Sequence, residues 1–169
     1  CDGSEDRRSE SSELLDAYID TYLSNKNVIV IGDFNDLLID DPNVFEPFLS
    51  NPDEYEFVDY AIAAGSPYNW SYPSWPSHID HLLITNELFV EFENENSDIQ
   101  TIPVDDYLSG GFWEYDANIS DHLPVGLKVQ IAASQIGLDD RDLSTLNVFP
   151  NPSNGFVSEF SPPDPPCTV

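Results

Sequence analysis

The chain has 169 residues, 40% hydrophobic and 12% aromatic, which is enough for one domain with a sizeable core plus a tail. Against 32 Asp and Glu stand only 5 Lys and Arg, a formal net charge of −27. Such a balance argues against direct, sequence-reading nucleic-acid binding and fits a salty or extracellular setting, while leaving metal-mediated phosphate chemistry open.

The chain contains no apolar run of the ~18 residues a transmembrane helix needs. Its two cysteines, Cys1 and Cys167, lie at opposite extremes, so neither a disulfide framework nor a zinc site is indicated. It has no methionine, and the opening CDGSEDRRSE has no apolar h-region. The expectation is therefore that this is a processed chain or a fragment.

Residues 9–24, SESSELLDAYIDTYLS, read as a helix capped by Ser9 or Ser11, with Glu10 and Glu13 suited to the positive end of its dipole. Leu14, Leu15, Tyr18, Ile19, Tyr22 and Leu23 recur at helical spacing, and Asn25 ends the pattern. Asn27 to Ile31 follow as a continuously apolar strand, the pattern of one covered on both faces. Helix followed by buried strand predicts a layered α/β arrangement.

Pro42, Pro47 and Pro52 punctuate the next stretch, with one short helix expected around Val44 to Leu49. GSPYNWSYPSWPS, residues 65–77, reads as a surface loop rich in Pro, Ser and aromatics. Ile79 to Thr85 is a second apolar strand, and Asp98 to Val104 is a third. In Pro124 to Ile131, apolar Val125, Leu127, Val129 and Ile131 alternate with Gly, Lys and Gln, the mark of a half-buried strand. The character changes after that. Residues 1–131 are expected to form the main domain, 132–144 a linker and 145–169 a small tail module whose SPPDPPCTV end is disordered.

Three polar clusters fall at strand ends: Gly32-Asp33-Phe34-Asn35, Ser77-His78-Ile79-Asp80-His81 and Ile119-Ser120-Asp121-His122. Each alone reads as well as a turn or a helix cap. Burying Asp or Asn without partners is costly, however, and all three histidines of the chain fall in two of the three clusters. Asp33 and Asn35 are two apart, so in extended chain both point the same way. If the strands are neighbours, five polar groups converge on one sheet edge. Carboxylate oxygens there suit a hard cation such as Mg²⁺, and a His held by a second carboxylate gains a fixed tautomer.

In this order, VIVIGDFND, SHIDHLLIT and ISDHLPVGLKV resemble the C-terminal half of the endonuclease/exonuclease/phosphatase superfamily, over roughly residues 1–131. The resemblance implies the C-terminal half of a four-layered α/β sandwich and Mg²⁺-dependent phosphodiester hydrolysis, with Mn²⁺ or Ca²⁺ as alternative ions. It implies that Asp33 orients or activates the attacking water near the metal, and that Asn35 holds a non-bridging phosphate oxygen. Asp121 would approach the metal, His122 would meet the scissile phosphate, and Asp80 would orient His122. His81 is expected to pack rather than act, and His78 has no assigned role. The family draws an Asn, a metal-binding Glu and a His from its first half. On that comparison this chain holds half of an active site and is expected to be inactive alone.

Tyr68, Trp70, Tyr72 and Trp75 either brace their long loop or stack on a substrate, with Trp75 the substrate-binding candidate. LSTLNVFPNPSNG is similar to the start of the C-terminal sorting domain of the Bacteroidetes type IX secretion system. That likeness implies a bacterial protein exported to the surface or medium by secretion machinery. Nucleic acid is the expected substrate. A phospholipid or sugar phosphate is the alternative, as is a non-catalytic binding domain that keeps only the scaffold.

Overall fold

The computed structural model describes residues 3–131. The chain divides into two compact units, Cys1–Gln135 and Ile136–Val169, and all described residues belong to the first. The expected linker and sorting-domain tail lie outside them.

The chain opens with α1 (Ser4–Tyr22) and enters β1 (Ile29–Asp33). It then runs through α2 (Glu46–Leu49), β2 (Tyr55–Phe57) and α3 (Tyr60–Ala63) to β3 (Asp80–Thr85). Next come α4 (Phe89–Phe92), β4 (Asp98–Thr101), α5 (Phe112–Asn118) and β5 (Val125–Lys128). The result is a mixed α/β fold with two small antiparallel sheets, β1-β3-β2 and β4-β5. No described helix is long and apolar enough to cross a membrane.

Three sequence expectations need correction. α1 begins at Ser4 rather than near Ser9, behind a Gly3 cap that offers no side chain. Glu5 and Asp6 occupy the first turn, where the helix dipole favours them, and the Ser11 hydroxyl instead donates to the Arg7 carbonyl within the helix.

The strand covered on both faces is β3, not β1. β3 is the central strand and is buried from His81 to Thr85. β1 lies at the edge, with Ile29 41% and Ile31 66% exposed. Leu14, Tyr18 and Tyr22 of α1 are also exposed, so the expected helix stripe is only partly buried. Third, the expected strand from Asp98 ends at Thr101, because Pro103 has no N–H to extend a ladder.

β3 separates two apolar clusters. Phe45, Phe48, Tyr55, Phe57 and Leu83 pack with Ile19 on one side. Val58, Leu82, Ile84 and Leu88 form the other cluster, against which Ile99, Val125 and Leu127 of the second sheet pack. This docking carries the β4-β5 sheet against β3 and sets the loop before β5 near the start of β3. Burial of such side chains is worth roughly 1.5–3 kcal/mol each, which is what fixes the register of β3.

Candidate active site

β1 and β3 pair antiparallel with Asp33 opposite Asp80, so the last residue of one strand and the first of the other share a sheet end. The loop before β5 adds His122. One ligand atom from each of Asp33, Asp80 and His122 lies within 4.8 Å of the others, with Asp33 exposed and the other two half-buried. His122 Nδ1–H donates to Asp80 Oδ2 at 2.7 Å, which puts a proton on Nδ1 and leaves Nε2 outside the pair.

The histidine is fixed on every side. The Tyr72 ring stacks on it at 4.7 Å, its N–H donates to Ser120 Oγ, and its carbonyl accepts from Tyr115 Oη at 3.1 Å. Burial, and then the charge of Asp105, pushes the Tyr115 hydroxyl above the ordinary tyrosine value, so it remains a donor.

Asn35 does not share a face with Asp33 by strand alternation, as extended chain would require. The chain turns there: Asn35 has φ 54°, and its N–H donates to Asp33 Oδ1 at 2.8 Å. An Asx-type turn of this kind is what Asp and Asn do at a strand exit. Asp121 is exposed and lies outside the group of three whose ligand atoms approach one another. His122 also arrives from the second sheet's loop rather than from a neighbouring strand.

A second cluster lies behind the first. Asp59, His78 and His81 are 0%, 1% and 0% exposed. Asp59 Oδ2 accepts from His78 Nε2 at 3.0 Å and from His81 Nδ1 at 2.6 Å, while Oδ1 accepts from the Leu82 N–H at 2.8 Å. Burial alone would raise the Asp59 carboxyl, but the two histidines and the Leu82 amide overcome it and hold the group at about 2.

The three side chains also have metal-ligand spacing. The hydrogen bonds speak against a metal there. His78 Nδ1 accepts from the Ser71 N–H at 3.2 Å, so its proton sits on Nε2, the nitrogen a metal at Asp59 would require bare.

Sequence reasoning overlooked Asp59 and Ser71. Ser71 is fully buried, and its Oγ lies 3.4 Å and 3.3 Å from the amides of Ile79 and Asp80, while its carbonyl accepts from the Leu123 N–H at 2.7 Å. The aromatic loop divides by function. Trp70 bonds the Ile62 carbonyl and Tyr72 stacks on His122, whereas Tyr68 and Trp75 are 82% and 77% exposed.

Two carboxylates and an imidazole on a sheet edge define a site able to hold a hard cation beside a group that exchanges protons. The residues fit a divalent metal: Asp80 has a second oxygen besides the one that holds His122, and Asp33 is open to solvent. The profile of the Endonuclease/Exonuclease/phosphatase family matches residues 2–122, and the chain belongs to that family of hydrolytic enzymes. Neither the curated proteins nor the solved structures provide a match.

Proposed function

We propose that the protein is a divalent-metal-dependent phosphodiester hydrolase, in the first instance a secreted endonuclease. The observation that carries this reading is the His122–Asp80 pair facing the Asp33 carboxylate at one sheet end. Asp33 and Asp80 would hold the metal, and Asp121 would approach it. A bound metal would supply charge stabilisation to the phosphate and lower the pKa of a water.

The remaining work falls to the chain's own groups. Asp33 orients the attacking water. Asn35, neutral and held by the turn, donates to a non-bridging oxygen without adding negative charge. His122, with its proton on Nδ1 fixed by Asp80, meets the phosphate through Nε2. Mg²⁺ is the ion of this reading, because the available ligands are mostly oxygen. We propose, finally, a substrate-binding role for Trp75 and export through the sorting-domain-like tail.

The same fold acting on a phospholipid or sugar phosphate is the second reading, favoured by the net charge of −27, since small substrates need no basic track. The test is plasmid nicking by the natural protein that carries these residues, with Mg²⁺, with EDTA and as His122→Ala. Nicking that needs the metal and His122 supports the endonuclease. Silence from folded protein, with turnover of lipid or small phosphodiesters, supports the second reading. Silence on all of these leaves the non-catalytic binding domain. The 169-residue chain, run in parallel, is expected to be inactive.

A further inference from the structure

The buried Asp59–His78–His81 group is not used by the chemistry above, yet its outer contacts reach the backbone of every segment that forms the site. His81 Nδ1 faces the Asp59 carboxylate, and its Nε2 lies 2.9 Å from the Asp36 carbonyl. Both neighbours are oxygen acceptors, and the ring spans the gap between them. Three phenyl rings, Phe34, Phe45 and Phe57, surround it with centroids at 5.8, 5.8 and 5.9 Å in tilted and edge-on arrangements that hold the ring in place.

On the far side, His78 Nδ1 accepts from the Ser71 N–H. Ser71 in turn lies against the Asp80 amide through its hydroxyl and accepts from the Leu123 amide, next in the chain to His122. One carboxylate thus anchors two imidazoles that run to opposite parts of the site.

We propose that Asp59, His78 and His81 form a buried strut whose task is positioning: His81 sets the turn that carries Asp33 and Asn35, and His78 sets the loop that holds Asp80 and His122. His81 does so through the contacts of its two ring nitrogens, one with Asp59 and one with the Asp36 carbonyl. Asp36 follows Asn35 directly, and Arg8 holds its side chain from outside through an Nε–Oδ2 contact of 2.7 Å. The turn is therefore held from the core by its carbonyl and from the surface by its carboxylate. His78 differs from His81 in kind, since its Nδ1 accepts and it donates only through Nε2. The proposal rests on the metal-site reading only where metal affinity is its readout.

The test uses two amide substitutions that separate the two contacts of His81. In His81→Asn the amide nitrogen falls near the place of Nδ1 and keeps Asp59; in His81→Gln it falls near Nε2 and keeps Asp36. Both variants lose one hydrogen bond, so a purely structural role would affect them alike. The strut predicts that His81→Asn, which loses the turn itself, weakens Mn²⁺ binding by about tenfold and shifts the Asn35 amide resonance, while His81→Gln, which keeps the turn but loses its anchor, changes both clearly less. Equal effects, or none, overturn it.

In the wild type, histidine ring NMR should find a proton on His81 Nε2, facing the Asp36 carbonyl, and on His78 Nε2, facing Asp59. A bare His81 Nε2 overturns the proposal without any variant. If the wild type binds no Mn²⁺, the metal-site reading fails, and the Asn35 amide and ring signals still decide the strut.

Discussion

Asp59→Asn is the sharpest perturbation of the interior. Three donors converge on this fully buried carboxylate: His78 Nε2, His81 Nδ1 and the Leu82 N–H. An asparagine offers one acceptor oxygen and an NH₂ that can only donate, so at least one buried N–H is left facing another. An unmade hydrogen bond of that sort costs about 1–3 kcal/mol. The charge has its own worth. A carboxyl held at about 2 against an ordinary 3.8 corresponds to roughly 2–3 kcal/mol of folding stability.

These two effects overlap, and we expect a net loss of about 3 kcal/mol. For a domain of this size that is a fall of roughly 10–15 °C in Tm at pH 7, read by circular dichroism. The pH dependence provides a second check. Because the folded pKa lies below the unfolded one, the carboxylate's contribution is complete above about pH 4 and is lost as pH falls towards 2. The difference between wild type and Asp59→Asn should therefore narrow over that interval. A loss under about 1 kcal/mol at pH 7, or a difference that stays constant down to pH 2, would refute the reasoning.

Three further outcomes are expected. Asp80→Asn should leave the fold within about 1 kcal/mol, since the group is half-buried, but lower Mn²⁺ affinity by about 10–100-fold in isothermal titration. Asn35→Gly keeps the φ of 54° that glycine adopts freely, so Tm should hold within about 2 °C while hydrolysis by the natural protein drops about tenfold or more. Trp75→Ala, at a side chain 77% exposed, should not change Tm but should raise KM; a parallel loss of stability would show that it packs.

Parts of this molecule were legible in its sequence because the signal was local. An apolar run that breaks into Gly-Asp-Phe-Asn can be read along the chain, as can the helical spacing of α1. The start of α1 was not, since Gly3 carries no side chain to announce a cap. The joint orientation of Asp33 and Asn35 failed for a backbone reason: strand alternation stops wherever φ turns positive.

Asp59 was illegible for a different reason. Its partners lie 19 and 22 positions away, and Phe-Val-Asp-Tyr looks like the end of a strand with a surface aspartate. Only packing β2 and its exit against β3 brings those side chains together, and no periodicity encodes that. His81, expected to pack, does so, but as one end of a polar group among phenyl rings. Double coverage was assigned to the wrong strand because β1 and β3 are both short apolar runs, and composition does not say which one is central.

The uncovered flank of β1 and α1 has a practical consequence in the test tube. Ile29, Ile31, Leu14, Tyr18 and Tyr22 present apolar surface beside a strand that has a free hydrogen-bonding edge among the described residues, which invites copies of the chain to stick to one another. What opposes this is mutual repulsion between molecules carrying 27 net negative charges. That protection fades with acid, and the sequence reaches neutrality near pH 4.1. Clouding should thus set in at the very acidity where the Asp59 contribution begins to decline. Light scattering against protein concentration at pH 7 and pH 4 separates the two: colloidal loss steepens with concentration, whereas unfolding of single chains does not.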